Sequence, residues 1–401
     1  MLESIHRPAG RIAPLPLVRR QRARPTLLLA SDSRAPCGVG RHMLTLARAL
    51  RHELEPLLVF ADTRHGHEWA QAARLAGLRA CVAPAHQLAS GGPGLAALFE
   101  QHRPDICHVH AGAAWEGHPL AASARACGVA AVLRTEHLPC TLRGPRDHAL
   151  EAAYVHGIAP VDRVICVSRA ARRTFLASGA APERYEVVYN GIEQPPSPAA
   201  RDGLRAGLGL DGRFAVLTVA RFVGRKRHAT LLQALPGVLE RHPGVELLWV
   251  GDGPLMEELR TQAARLGVAG HVRFLGFRHD VGELMAAADA YCLPSELEGH
   301  PLTVLEAMAA GLPVVAARAP GTTEALQDEE TGLLYRHDSA ALLRHALCRL
   351  IGDPDLARCL GEAGRQAVGR AFTAQRMARE TVAIYLKALR AHPRHAWTDR
   401  P

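Results

Sequence analysis

The chain of 401 residues is long enough for two or three domains of ordinary size. Hydrophobic residues at 48% and charged residues at 22% match a soluble globular protein, and no apolar run approaches the ~18 residues that span a membrane. The net charge of +9 comes with no aromatic interleaving and no nucleic-acid-binding signature, which excludes nucleic acid as a partner.

Residues 1–24 form a basic arm, in which six arginines stand against the single acid Glu3. Charge runs of this kind are usually solvated and disordered, and a polybasic contact with anionic membrane is the alternative. Pro14 and Pro16 interrupt its apolar residues, which argues against a secretory signal. The nine cysteines are scattered and form no Cys-x-x-Cys pair. A cytoplasmic, reducing location fits best, and the cysteines suggest neither a disulfide framework nor a zinc site.

From residue 25 short apolar runs alternate with amphipathic stretches. Strands are predicted at 26–30, 56–60, 106–109, 130–133, 163–167 and 186–189. Helix-like stretches such as 41–51 and 120–127 lie between them. This rhythm predicts βαβ units and a parallel sheet over 25–192. Residues 193–200 hold three prolines and read as a linker. The rhythm resumes over 201–372, with strands at 214–220, 245–250, 272–275, 290–293 and 313–316. A final helix, 373–392, has an apolar face that could pack on either domain. The fold class is α/β, with two Rossmann-like parallel-sheet domains facing a cleft, and ligands are expected at the carboxyl ends of the strands.

After the first strand, Gly38 and Gly40 permit close backbone approach to a ligand at a helix start. Met43 stands where a dinucleotide fingerprint needs its third glycine, so a nicotinamide cofactor is disfavoured. His108 and His110 share one face of a strand, where packing near the strand end is the preferred reading and metal binding the alternative. His137 follows the strand 130–133 and faces the cleft. Arg221 and Lys226 lie in the loop after the second domain's first strand. Two cations there can clamp a pyrophosphate, and a solvated basic loop is the bland alternative.

Glu298 and Glu306 flank the start of a helix expected at Pro301 and ending near Gly311. The free amides of Leu302 and Thr303 would bind phosphate. The two carboxylates would accept from ribose and sugar hydroxyls, or merely complement the helix dipole. Asp353 and Asp355 resemble a metal-binding Asp-x-Asp pair but read better as a turn and helix cap.

With Tyr189-Asn-Gly-Ile, Val250-Gly-Asp-Gly-Pro, Phe274-Leu-Gly-Phe and the Glu-x7-Glu pattern at Glu298 and Glu306, the chain resembles the retaining glycosyltransferases of family 4, which have the GT-B fold. The resemblance runs from about residue 26 to 389. It implies that Arg221 and Lys226 bind the diphosphate of a nucleotide-sugar donor, with Leu302 and Thr303 adding backbone contacts. It gives Glu306 the ribose, Glu298 the transferred sugar, backbone near Arg278 the base, and His137 a role in catalysis beside the sugar. It implies no cofactor and no metal, and a last helix that crosses back onto the first domain. Cys37, His300 and Pro301 depart from the family's usual residues. The acceptor stays unidentified among lipid-linked, glycan and small-molecule classes, and uridine is the default base. An epimerase or phosphorylase on the same fold, or a non-catalytic nucleotide-sugar-binding protein, is the alternative.

Overall fold

A computed structural model describes residues 24–35, 37–141, 148–193 and 201–391. The basic arm up to residue 23, and residues 194–200 of the proline-rich linker, lie outside the described residues.

The first sheet contains β1 (Thr26–Ser31), β2 (Glu55–Ala61), β3 (Arg79–Ala83), β4 (Ile106–Ala111), β5 (Ala131–Glu136), β6 (Arg163–Cys166) and β7 (Tyr185–Val187). Its order is β3-β2-β1-β4-β5-β6-β7, with every pairing parallel. The second sheet contains β8 (Phe214–Val219), β9 (Val245–Val250), β10 (Val272–Gly276), β11 (Ala290–Leu293), β12 (Val314–Ala317) and β13 (Leu333–Tyr335). It is ordered β10-β9-β8-β11-β12-β13, also parallel. In both sheets the order reverses beside the first strand, so each has a switch-point crevice at its carboxyl edge.

The central strands are buried on both faces, which is why they read as continuous apolar runs. Leu28, Val59, Val109 and Val132 serve the core on one face of the first sheet. Leu27, Leu29, Phe60 and Leu133 serve the other. That second core also takes Met377, Ile384, Tyr385 and Leu389 from the last helix, Ala374–Arg390. This helix follows the second domain in sequence yet packs on the first sheet. Each of its buried apolar side chains contributes about 1.5–3 kcal/mol to holding it there. An isolated bridge between Ile192 and Thr373 pins both chain crossings together.

Two strands were not expected from the sequence. β3 is only half-buried and begins with the exposed Arg79, so its apolar signal is diluted. β13 has three residues, too few to show a period. β5 also runs three residues beyond its predicted end at Leu133. Arg134 and Glu136 are fully buried there as an ion pair, with Nε 2.5 Å from Oε1. Arg134 also donates to the Ala114 carbonyl at 2.9 Å, and the Tyr154 hydroxyl donates to Glu136 at 3.0 Å. Such compensation is what allows a charge to sit in a sheet interior.

Candidate active site

The loop after β8 carries the two cations. Its shape depends on the loop after β9, Gly251-Asp252-Gly253. Gly251 has φ +141°, and a Cβ there would lie 2.1 Å from the Ala220 carbonyl oxygen. Gly253 has φ +152°, and a Cβ there would lie 2.5 Å from the Phe222 carbonyl oxygen. The Phe222 ring anchors the loop among His228, Trp249 and Phe274. A 3-10 turn, Gly224–Lys226, then turns the chain back. Lys226 forms an ion pair with Glu298. Arg221 has no acceptor among the described residues, and its Nε is buried without a partner.

The facing loop leaves β11. It is tied to the cation loop by the Glu296 amide donating to the Arg225 carbonyl (3.0 Å) and by Arg227 on Glu296. The helix that follows is Leu302–Ala309, with Pro301 as its N-cap rather than its first residue. Boundaries commonly differ by one residue. The Leu302 and Thr303 amides have no acceptor among the described residues, as expected at a helix start. The helix stops at Gly311, φ +76°.

Burial works to raise the Glu298 carboxyl, but Lys226, Arg225 and a hydrogen bond from Ser295 outweigh it and hold it below the usual carboxylate range. Glu306 differs. Burial raises it, against a partial correction from Arg41. Arg41 belongs to the first domain and reaches across the cleft, with Nε 2.9 Å from Glu306 Oε1. Glu306 is thus held from the opposite domain.

The first domain supplies His137, just beyond β5. Its carbonyl oxygen lies against Gly299, where a Cβ would approach to 2.0 Å. Gly321 packs on the Gly299 carbonyl in turn, so three backbone segments stack between the domains. The His137 ring is half-buried and contacts His110, with His110 Nδ1 3.2 Å from His137 Nε2. It also lies edge-on to His42, with centroids 4.7 Å apart. Burial, then the neighbouring histidines and Arg134, keep the His137 imidazole neutral far below its ordinary range. His108 is not part of this group in function. Its two ring nitrogens meet Tyr385 Oη and Thr135 Oγ1, each at 2.7 Å, so its role is packing.

Gly38 and Gly40 both lie in the first turn of the helix Cys37–Leu50, which starts four residues earlier than its sequence pattern suggested. Gly38 is exposed, with open space around its missing Cβ. Gly40 is not free for a ligand, because a Cβ there would meet the Trp69 indole at 2.6 Å. Its small size accommodates Trp69. Arg278 follows β10 and pairs with Asp280, Nε to Oδ1 2.8 Å. Asp353 caps the helix Pro354–Ala371 by accepting from the Leu356 amide at 2.9 Å.

Three residues at the domain junction carried no assigned role in the sequence: Asn190, seen only within the Tyr189-Asn-Gly-Ile motif, Glu324 and His42. Asn190 accepts from His42 Nδ1 (3.0 Å) and donates to the His300 carbonyl (2.7 Å). Glu324 of the second domain accepts from the Arg169 and Ala170 amides, capping a first-domain helix, and from the Tyr189 hydroxyl. His42 follows Gly40 by two residues, and that proximity to a glycine loop was its only local signal.

The family model "Glycosyl transferases group 1" matches residues 201–367, and "Glycosyltransferase Family 4" matches 36–194. A GDP-mannose-dependent alpha-(1-6)-phosphatidylinositol monomannoside mannosyltransferase of Mycobacterium tuberculosis (strain CDC 1551 / Oshkosh) is 32% identical over 320 residues, covering 74% of this chain and 80% of that protein. The chain belongs to the group 1 glycosyltransferases. A phosphatidyl-myo-inositol mannosyltransferase of Mycobacterium leprae (strain TN) is 41% identical to this glycosyltransferase over 193 residues, 46% of this chain and 51% of that protein. Among solved structures, Anabaena Alr3699/HepE in complex with UDP and glucose superposes with a TM-score of 0.79 at 22% identity, covering 90% of this chain and all of that one. The two facing parallel sheets are therefore the GT-B fold.

Proposed function

We propose that this glycosyltransferase moves a hexose, with retention of configuration, from a nucleoside-diphosphate sugar to a lipid-linked, glycan or small-molecule acceptor. The observation that carries the reading is Arg221. A guanidinium without an acceptor among the described residues, five residues from Lys226 and in a loop bound to the Glu298 loop, suits a dianionic ligand. Arg221 and Lys226 hold the diphosphate and stabilise the charge that grows as it leaves. The Leu302 and Thr303 amides add the positive end of a helix. Glu306 takes the ribose, displacing Arg41, and Glu298 takes a sugar diol. Gly38 lets the first domain's backbone approach the donor, and the backbone at Arg278 meets the base. The neutral His137 imidazole contacts the sugar. Attack comes on the face the diphosphate leaves, with a phosphate oxygen receiving the acceptor's proton, and no metal is required.

The relatives' names point to mannose and guanosine, whereas the HepE structure holds UDP and glucose. GDP-mannose and UDP-glucose are therefore the first donors to compare. We place the reaction in the cytoplasm, at the inner membrane face when the acceptor is lipid-linked. No described helix is long and apolar enough to cross a membrane. The test is product analysis of the wild-type chain. Nucleoside diphosphate should appear in step with added acceptor, and the product's anomeric coupling should match the donor's. An inverted product would overturn retention.

A further inference from the structure

His42, His110 and His137 come from three different elements and converge beneath the cleft. One ring nitrogen from each lies within 4.8 Å of the others, and this is the one such group among the described residues. Tetrahedral zinc, with bonds of about 2.0–2.1 Å to imidazole, sets its ligand nitrogens about 3.4 Å apart. The 3.2 Å between His110 Nδ1 and His137 Nε2, a hydrogen bond in which one ring holds the proton that a metal would replace, is close to that spacing. The three nitrogens lie up to 4.8 Å apart, a separation that binding has to close.

The surrounding hydrogen bonds favour ligation. His42 Nδ1 faces the Asn190 side-chain oxygen at 3.0 Å. An amide oxygen only accepts, so the proton sits on Nδ1 and the Nε2 lone pair is free. A second-sphere carbonyl that fixes the tautomer in this way is typical of metal-bound histidine. His110 Nε2 is buried without a partner and can carry the ring proton when Nδ1 ligates. His137 is only half-buried, which leaves a fourth position toward the cleft.

We propose that His42, His110 and His137 form a site for one divalent transition-metal cation of the zinc class, with its fourth position open to the cleft. Three neutral imidazoles select zinc, cobalt, nickel or copper over magnesium and calcium. The transfer reaction proposed above calls for no metal, so occupancy blocks it by taking the His137 ring from the sugar. That consequence rests on the proposed function; the binding itself does not.

The experiment titrates cobalt(II) into the chelator-treated full chain, following the visible absorption of tetrahedral cobalt. One cobalt per chain, displaced by zinc and not by magnesium, is expected. His42→Ala and His110→Ala should each weaken binding by roughly 10-fold or more. X-ray absorption on the zinc-loaded wild-type chain needs no variant to fold and should show three imidazole ligands. Sulfur in the shell would place the metal on thiols such as the exposed Cys127 or Cys359 and overturn the site. So would binding unchanged in both variants, or no saturable cobalt binding. Metal binding without inhibition of turnover would uphold the site and contradict the role given to His137.

Discussion

Arg41 and Glu306 pair across the cleft at 2.9 Å, with side-chain exposures of 43% and 17%. A partly exposed pair is worth about 0.2–1 kcal/mol, little enough for a ligand to replace. Arg41→Ala should therefore cost the ligand-free chain little. It should also enlarge the thermal stabilisation a donor gives, because Glu306 no longer has to exchange partners. A donor shift identical to wild type would count against Glu306 as the ribose ligand. Lys226 is tested by turnover. Lys226→Ala should lower kcat by ~10²–10³, as loss of a transition-state charge partner does. It also leaves Glu298 buried without its main counter-charge, so the carboxyl should rise from its depressed value. Turnover at the wild-type rate would remove Lys226 from the mechanism.

At the scale of elements, glycines decide how closely the segments approach. Gly299→Ala places a methyl 2.0 Å from the His137 carbonyl and forces the two domains' site loops apart. A displacement of about 1 Å near reacting groups costs ~10²-fold in rate. Activity should fall by that order while far-ultraviolet dichroism is kept. Gly38→Ala and Gly40→Ala separate two meanings of one loop. Gly40→Ala meets Trp69 and should lower the melting temperature, whereas Gly38→Ala has room and should affect donor affinity alone. The reverse pattern would exchange their roles. The strands that were legible in the sequence are those buried on both faces, such as β1 and β9. The end of β5 was not, because Arg134 and Glu136 look like loop residues until their pairing is seen. The first turn containing Gly38 and Gly40 was hidden by two glycines, which are poor helix formers.

For the whole molecule, the cation loop at Arg221 and Lys226 and the Glu298–Glu306 segment stood out in the sequence because their residues lie within short stretches. The contacts that join the domains did not. Asn190 on the His300 carbonyl, Arg41 with Glu306, and Glu324 on the Arg169 amide connect residues 110 or more positions apart, and only docking brings them together. Several buried histidines make the fold sensitive to acid. Burial lowers His108, His228 and His300 to about 3. Unfolded, they take up protons near their ordinary 6.5. The unfolded state therefore binds more protons below pH 6.5, and stability is lost as pH falls from there toward 3. The slope is about 1.4 kcal/mol per pH unit for each histidine. The urea midpoint should drop clearly between pH 7 and pH 5, and a flat profile would mean these rings are protonated in the fold.

The donor site itself is tested most directly by calorimetric titration of GDP-mannose and UDP-glucose into the wild-type chain and Arg221→Ala. Arg221 has no acceptor among the described residues, so its loss should leave the melting temperature of the ligand-free chain nearly unchanged. Saturable binding of one of these donors to wild type is expected, weakened ~10-fold or more in the variant, since hydrogen bonds to charged groups are worth about 1.5–3 kcal/mol. Equal affinity in the two proteins would contradict this donor site.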